Sequence, residues 1–121
     1  MGTLRVTTIS DTAGTGPVTL TKQSAAKAWA RHDGSSNSIN TFNVSSFTDD
    51  ATSGNTTVSF TNNMANDDYV GVASANQNTG DIGDRFTAVS NFFVSSVDTF
   101  AFDGTARTDV QSSIIVMGDL A

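Results

Sequence analysis

SAAKAWAR, at residues 24–31, is the one stretch of this chain where a helix competes with a strand. Three of its four alanines could share one side of a helical turn. Yet Ala28-Trp29-Ala30 runs within two residues into His32-Asp33-Gly34-Ser35-Ser36, a turn sequence, and that spacing suits a short strand. The rest of the chain weighs on the same side. All twelve acidic residues are Asp, Leu occurs three times, and Ser, Thr and Asn occur 15, 18 and 10 times. Short polar side chains compete with the helix for backbone hydrogen bonds, whereas Thr and Val favour strands. Residues 24–31 therefore read as strand and the chain as all-β.

Outward from that stretch, segments of period-two alternation are separated by turn clusters every 8–12 residues. Residues 3–9 (TLRVTTI) read as an extended arm, and SDTAGTGP at residues 10–17 as a turn. Residues 18–20 resume an extended pattern. Ile39, Phe42 and Val44, then Phe47, suggest two strand pieces joined by a bulge. Residues 56–61 (TTVSFT), 69–75 (YVGVASA), 85–90 and 91–102 follow, and residues 107–118 end in the continuous apolar run Ile114-Ile115-Val116-Met117. That run suits a buried final strand. The pattern predicts an antiparallel β-sandwich of about eight strands over residues 18–121, preceded by an arm at residues 1–17. Phe42, Val44, Val58, Phe60, Val70, Val72, Ile114 and Val116 are expected to point inward.

Composition removes several functions. The chain has 121 residues, enough for one domain. It has no Cys and one His, so thiolate sites, disulfides and multi-histidine metal sites are excluded. A net charge of −6 argues against nucleic-acid binding, which needs a basic face. No apolar run approaches the roughly 18 residues of a membrane span. Residues 1–10 lack a signal-peptide pattern, so a soluble protein made in a cytoplasm is expected. Val, Phe, Ile and Leu together make up about a fifth of the chain, near the level below which chains stay disordered. A core that thin favours association.

The ordered pieces Lys27-Ala28-Trp29, His32-Asp33-Gly34, Ser38-Ile39, Phe42-Asn43-Val44-Ser45-Ser46, Val58-Ser59-Phe60-Thr61 and Asp68-Tyr69 resemble a family of tailed-phage virion proteins. These are tail-fibre-like structural proteins common in marine phages. Residues 3–23 and the ending IIVMGDL look similar too. The resemblance implies a β-rich, trimeric component of the virion, made in the host cytoplasm, with no catalytic site. Its partners would be copies of itself, other virion proteins and a host surface glycan. A capsid decoration protein cementing the head is the alternative, and a carbohydrate-binding or hydrolytic module a third reading.

Four residues are the candidate contacts. Trp29 and Tyr69, the only Trp and Tyr, could stack a sugar ring, although an amphipathic ring equally suits a core or a subunit contact. Phe92 and Phe93 are adjacent, so in a strand one of them must leave the core; a neighbouring subunit of a homotrimer would cover it. His32 beside Asp33 is expected to be a solvated turn residue, since nothing marks a serine nucleophile. Asp49-Asp50, Asp67-Asp68 and the loop from Asp81 to Asp84 offer oxygen ligands for Ca²⁺, but turn chemistry explains them more simply. No cofactor, metal or enzymatic activity is expected.

Overall fold

A computed structural model describes residues 25–34, 37–50, 54–76 and 83–121. Among these residues every regular element is a strand, and the strands form two antiparallel sheets. In chain order they are β1 (Ala28–His32), β2 (Ser38–Phe42), β3 (Val44–Asp49), β4 (Asn55–Phe60), β5 (Val70–Ala75), β6 (Arg85–Phe93), β7 (Ser96–Asp103), β8 (Ala106–Arg107) and β9 (Ser112–Met117). The expected arm at residues 1–17 and the extended pattern at residues 18–20 lie outside the described residues.

The contested alanine-rich stretch is strand β1. It buries Ala28, Ala30 and His32 and turns Trp29 and Arg31 the other way, the period of two that a helix could not give. The four-stranded sheet has the order β2-β1-β9-β5; the five-stranded sheet runs β3-β4-β7-β6, with β8 paired to β7. One core serves both. The first sheet contributes Ala28, Ala30, Ile114 and Val116, the second Val58, Phe60 and Val97, and the segment between β4 and β5 adds Met64 and Tyr69.

The chain changes sheet at Asn43, between β2 and β3. Its φ of +56° lies in the left-handed region, which Asn tolerates better than most residues. Its side chain fixes the corner: Nδ2 donates to the Lys27 carbonyl at 2.9 Å and Oδ1 accepts the Asn62 N–H at 2.7 Å. The expected bulge between the two strand pieces is thus a sheet corner. The bulge itself lies at Ser45, where the register skips from Val44 to Ser46. A second bulge, at Asn91 with φ +47°, separates Ser90, opposite Asp98, from Phe92, opposite Val97. The break expected at residues 90–91 falls instead after Phe93, and β6 runs straight through the bulge.

Of the side chains expected inward, Val58, Phe60, Ile114 and Val116 are buried and Val44 packs at the core margin. Phe42, Val70 and Val72 are not: they are 52, 60 and 60 % exposed. In β5 the inward positions belong to Gly71, Ala73 and Ala75, because β6 comes very close there. A Cβ on Gly71 would lie 3.0 Å from Val89 Cγ1. Phe42 faces outward because it pairs with Trp29, whose neighbours Ala28 and Ala30 hold the inward positions.

Candidate interaction face

The outward side of the four-stranded sheet is assembled by cross-strand register. Trp29 lies beside Phe42 on β2 and beside Ile115 on β9, and Ile115 lies beside Val72 on β5. An apolar row therefore crosses all four strands. At one end of the strands Met117 pairs with Val70, and continuing the β1–β9 register by one residue brings Lys27 beside Met117. Toward the other end comes a polar row: Asn40, Arg31, Ser113 and Ser74. Ile39, opposite the irregularity in the β1–β2 register, adds a further apolar side chain. Ile39, Ile115 and Met117 are 45, 48 and 38 % exposed. A sheet face left to water is ordinarily polar, and this one is not.

Trp29, Arg31, Ile39, Asn40, Ser113 and Ile115 border an open groove of about 460 Å³. Arg31 Nη2 donates to Gln111 Oε1 at 2.9 Å, which holds the guanidinium at the groove's edge. The four strands contain no acidic residue, so Lys27 and Arg31 make this a cationic, apolar face on a chain of net charge −6.

The other candidate contacts lie elsewhere. Tyr69 is buried among core rings, with centroids 5.9 Å from Phe60 and 5.1 Å from Phe92. Its hydroxyl lies 3.0 Å from the Phe93 carbonyl and 2.8 Å from that of Ser96, tying down the β6–β7 turn. Burial pushes the phenol up to about 12. Tyr69 and Trp29 therefore do not form a shared sugar platform. The Asn91 bulge turns Phe92 inward, onto Tyr69, and leaves Phe93 outward at 53 % exposure.

His32 corrects the expectation of a solvated turn residue, being 1 % exposed at the inward end of β1. Nδ1 accepts the Gly34 N–H at 3.2 Å, so the ring proton sits on Nε2. Nε2 is buried and has no hydrogen-bond partner among the described residues. The ring packs 5.2 Å from Phe47. Burial holds the imidazole below its ordinary range, against a smaller opposite pull from Asp33. The hydroxyl of Ser112, its cross-strand neighbour, pairs with Thr87 Oγ1 and the Val110 carbonyl instead. No Ser–His dyad forms among the described residues.

Five of the ten described acids hold turns and strands together. Asp33 accepts from Asn37, Asp50 from Asn55, Asp109 from the Gly54 N–H, and Asp98 from Thr57 and Asn91. Asp103 pairs with Arg85 at 2.9 Å. No group of three or more His or Asp residues gathers among the described residues; Asp81 lies outside them.

Sequence reasoning missed the apolar face and one further cluster. On the outward side of the five-stranded sheet Phe86 stacks on Phe102 at 4.7 Å, and the Arg107 guanidinium lies 4.5 Å over Phe100. The signal for the first was present: Ile114 to Met117 is apolar without a gap, so in a strand both its faces must be apolar. The chain matches no family model, no curated protein and no solved structure.

Proposed function

We propose that this chain is a structural, non-enzymatic protein of the bacteriophage particle surface, a β-sandwich tail-fibre or head-fibre module that works by contact with other proteins. The observation that carries this reading is the row Phe42–Trp29–Ile115–Val72 on a sheet face that water would otherwise wet. Each Å² of it forgoes about 25 cal/mol while uncovered, and a covering protein surface restores that burial. Assignment to a phage rests on the ordered sequence pieces from Lys27 to Tyr69. The host glycan that the resemblance implies belongs to the same proposal; the homotrimer it also implies would need a second patch complementary to this face. A carbohydrate module is supported less well, since Tyr69 is in the core and, among the described residues, no carboxylate lines the Trp29 groove.

Gold-labelled antibody against the purified chain, applied to banded phage particles, tests the proposal. Label on the tail or on head fibres is expected. Uniform label over the head would replace the fibre reading with the decoration alternative. Protein confined to the soluble fraction of infected cells, with particles unlabelled, would overturn the structural assignment.

A further inference from the structure

We propose that the outward face of the four-stranded sheet is a contact between two copies of this chain, related by a two-fold axis that lies in the contact plane and runs along the strands. This deepens the reading of the chain as an assembly protein and rests on it for its biological purpose, although not for its physics.

The size of the face is the first argument. Ile39, Phe42, Val70, Val72, Ile115 and Met117 are 38–60 % exposed, and with half-buried Trp29 they present on the order of 600 Å² of apolar surface. That is the upper end of what a monomer shows. Two such faces stacked together hide about 1,200 Å², where specific interfaces begin. Sheets stack well in this way, about 10 Å apart.

The second argument is self-complementarity. With the strand order β2-β1-β9-β5, a two-fold along the strands lays β2 over β5 of the second copy and β1 over its β9. Phe42 then meets Val72 of the second copy and Trp29 meets its Ile115, a large ring over a branched aliphatic in both cases. Lys27 comes over Met117, which its methylene stem can cover. Arg31 comes over Ser113 and Asn40 over Ser74, polar on polar. No like charges are opposed. The other in-plane axis, across the strands, would set Lys27 against Arg31 of the second copy and Met117 against its Ser113. The chemistry selects the first axis.

A second copy is also the best-matched cover for the face among the described surfaces. The ring implied by the sequence resemblance needs a different, complementary patch on each neighbour. The outward side of the five-stranded sheet offers Thr57 and Asp98, hydrogen-bonded to each other, the Phe100 and Phe102 rings under Arg107, and Phe86 and Phe93, exposed toward opposite ends of the edge strand β6 rather than in a row across the sheet. The best complement to the apolar row is the row itself.

Sedimentation velocity on the full chain, from about 1 to about 100 µM, is the test. The expected result is a shift from one chain to two across that range. Ile115→Lys puts an ammonium against Trp29 of the second copy and should weaken the pair at least ~100-fold. Its far-UV circular dichroism and melting as a monomer should stay unchanged, because Ile115 is already half exposed. Phe93→Ser, on the other sheet, should leave the pair intact. The chain has no Cys, so orientation can be read by cross-linking: Phe42→Cys mixed with Val72→Cys should join through a short bis-maleimide, while neither variant should join to itself. A monomer at every concentration would overturn the proposal, whether residues 1–24 or a different virion protein takes the face. So would a trimer, a pair that survives Ile115→Lys, or self-linking of Phe42→Cys. These outcomes are independent of antibody labelling: a pair formed by a protein absent from particles would leave the contact standing and remove the virion assignment.

Discussion

His32 is the residue whose environment most changes what the chain should do in solution. Its ring is neutral in the fold, with Nδ1 occupied by the Gly34 N–H and Nε2 sealed from water. The unfolded chain offers the same imidazole an ordinary value near 6.5, while burial holds the folded one lower. Below pH 6.5 the unfolded state therefore binds more protons, and stability must fall as the pH falls. The loss begins near neutrality and levels off once the folded ring also titrates. Its slope is bounded at about 1.4 kcal/mol per pH unit for one group. Urea midpoints measured from pH 7.5 to 5.5 should decline, and His32→Phe should flatten that decline. An equal decline in the variant would place the titrating group elsewhere. No sequence cue marked this burial. His-Asp-Gly reads as a turn, and only the register of β1 against β9, which pairs His32 with Ser112, carries the ring inside.

At the scale of elements, strand periodicity was legible and its phase only in part: β4 and β9 face as expected and β5 does not. In residues 69–75 the alternation of Val with Gly and Ala is plain, and hydrophobicity alone puts Val70 and Val72 in the core. The fold puts Gly71, Ala73 and Ala75 there, since β6 packs too tightly to admit anything larger. Local sequence cannot report the distance to a strand that is remote in the chain. Gly71→Val should therefore overpack against Val89 and Phe92 and cost about 1–3 kcal/mol, read as a lower urea midpoint at unchanged m-value. Ser74→Thr, outward on the same strand, should stay within about 0.5 kcal/mol. The same limit hid the bulges. A one-residue insertion reverses every side chain beyond it, and at Asn91 it decides that Phe92, not Phe93, packs on Tyr69.

On the scale of the whole molecule the two outward faces are treated differently. On the five-stranded sheet the Arg107 guanidinium covers Phe100 and Phe102, and the exposed rings Phe86 and Phe93 stand toward opposite ends of the edge strand β6. On the four-stranded sheet Lys27 and Arg31 flank the apolar row at either end of β1 and leave Phe42, Ile115 and Val72 exposed to water. The all-β class of the described residues could be read from composition, because abundant Asp, Asn, Ser and Thr compete with helix for backbone hydrogen bonds. Which face stays apolar could not, because it depends on how four strands from distant parts of the chain are ordered. With a core this thin, pairing through the uncovered face as proposed would supply part of the stability, and mass action would set its size. If two chains pair through this face, a 100-fold rise in concentration adds at most about 2.7 kcal/mol per pair, less where single chains persist at the lower concentration. Shared between two chains of this length, that raises the melting temperature by up to about 5 °C. Melting followed by circular dichroism at about 2 and about 200 µM should show that rise in the unaltered chain and none in Ile115→Lys. A melting temperature independent of concentration in both would mean that the core is sufficient alone and that the face contributes nothing to folding.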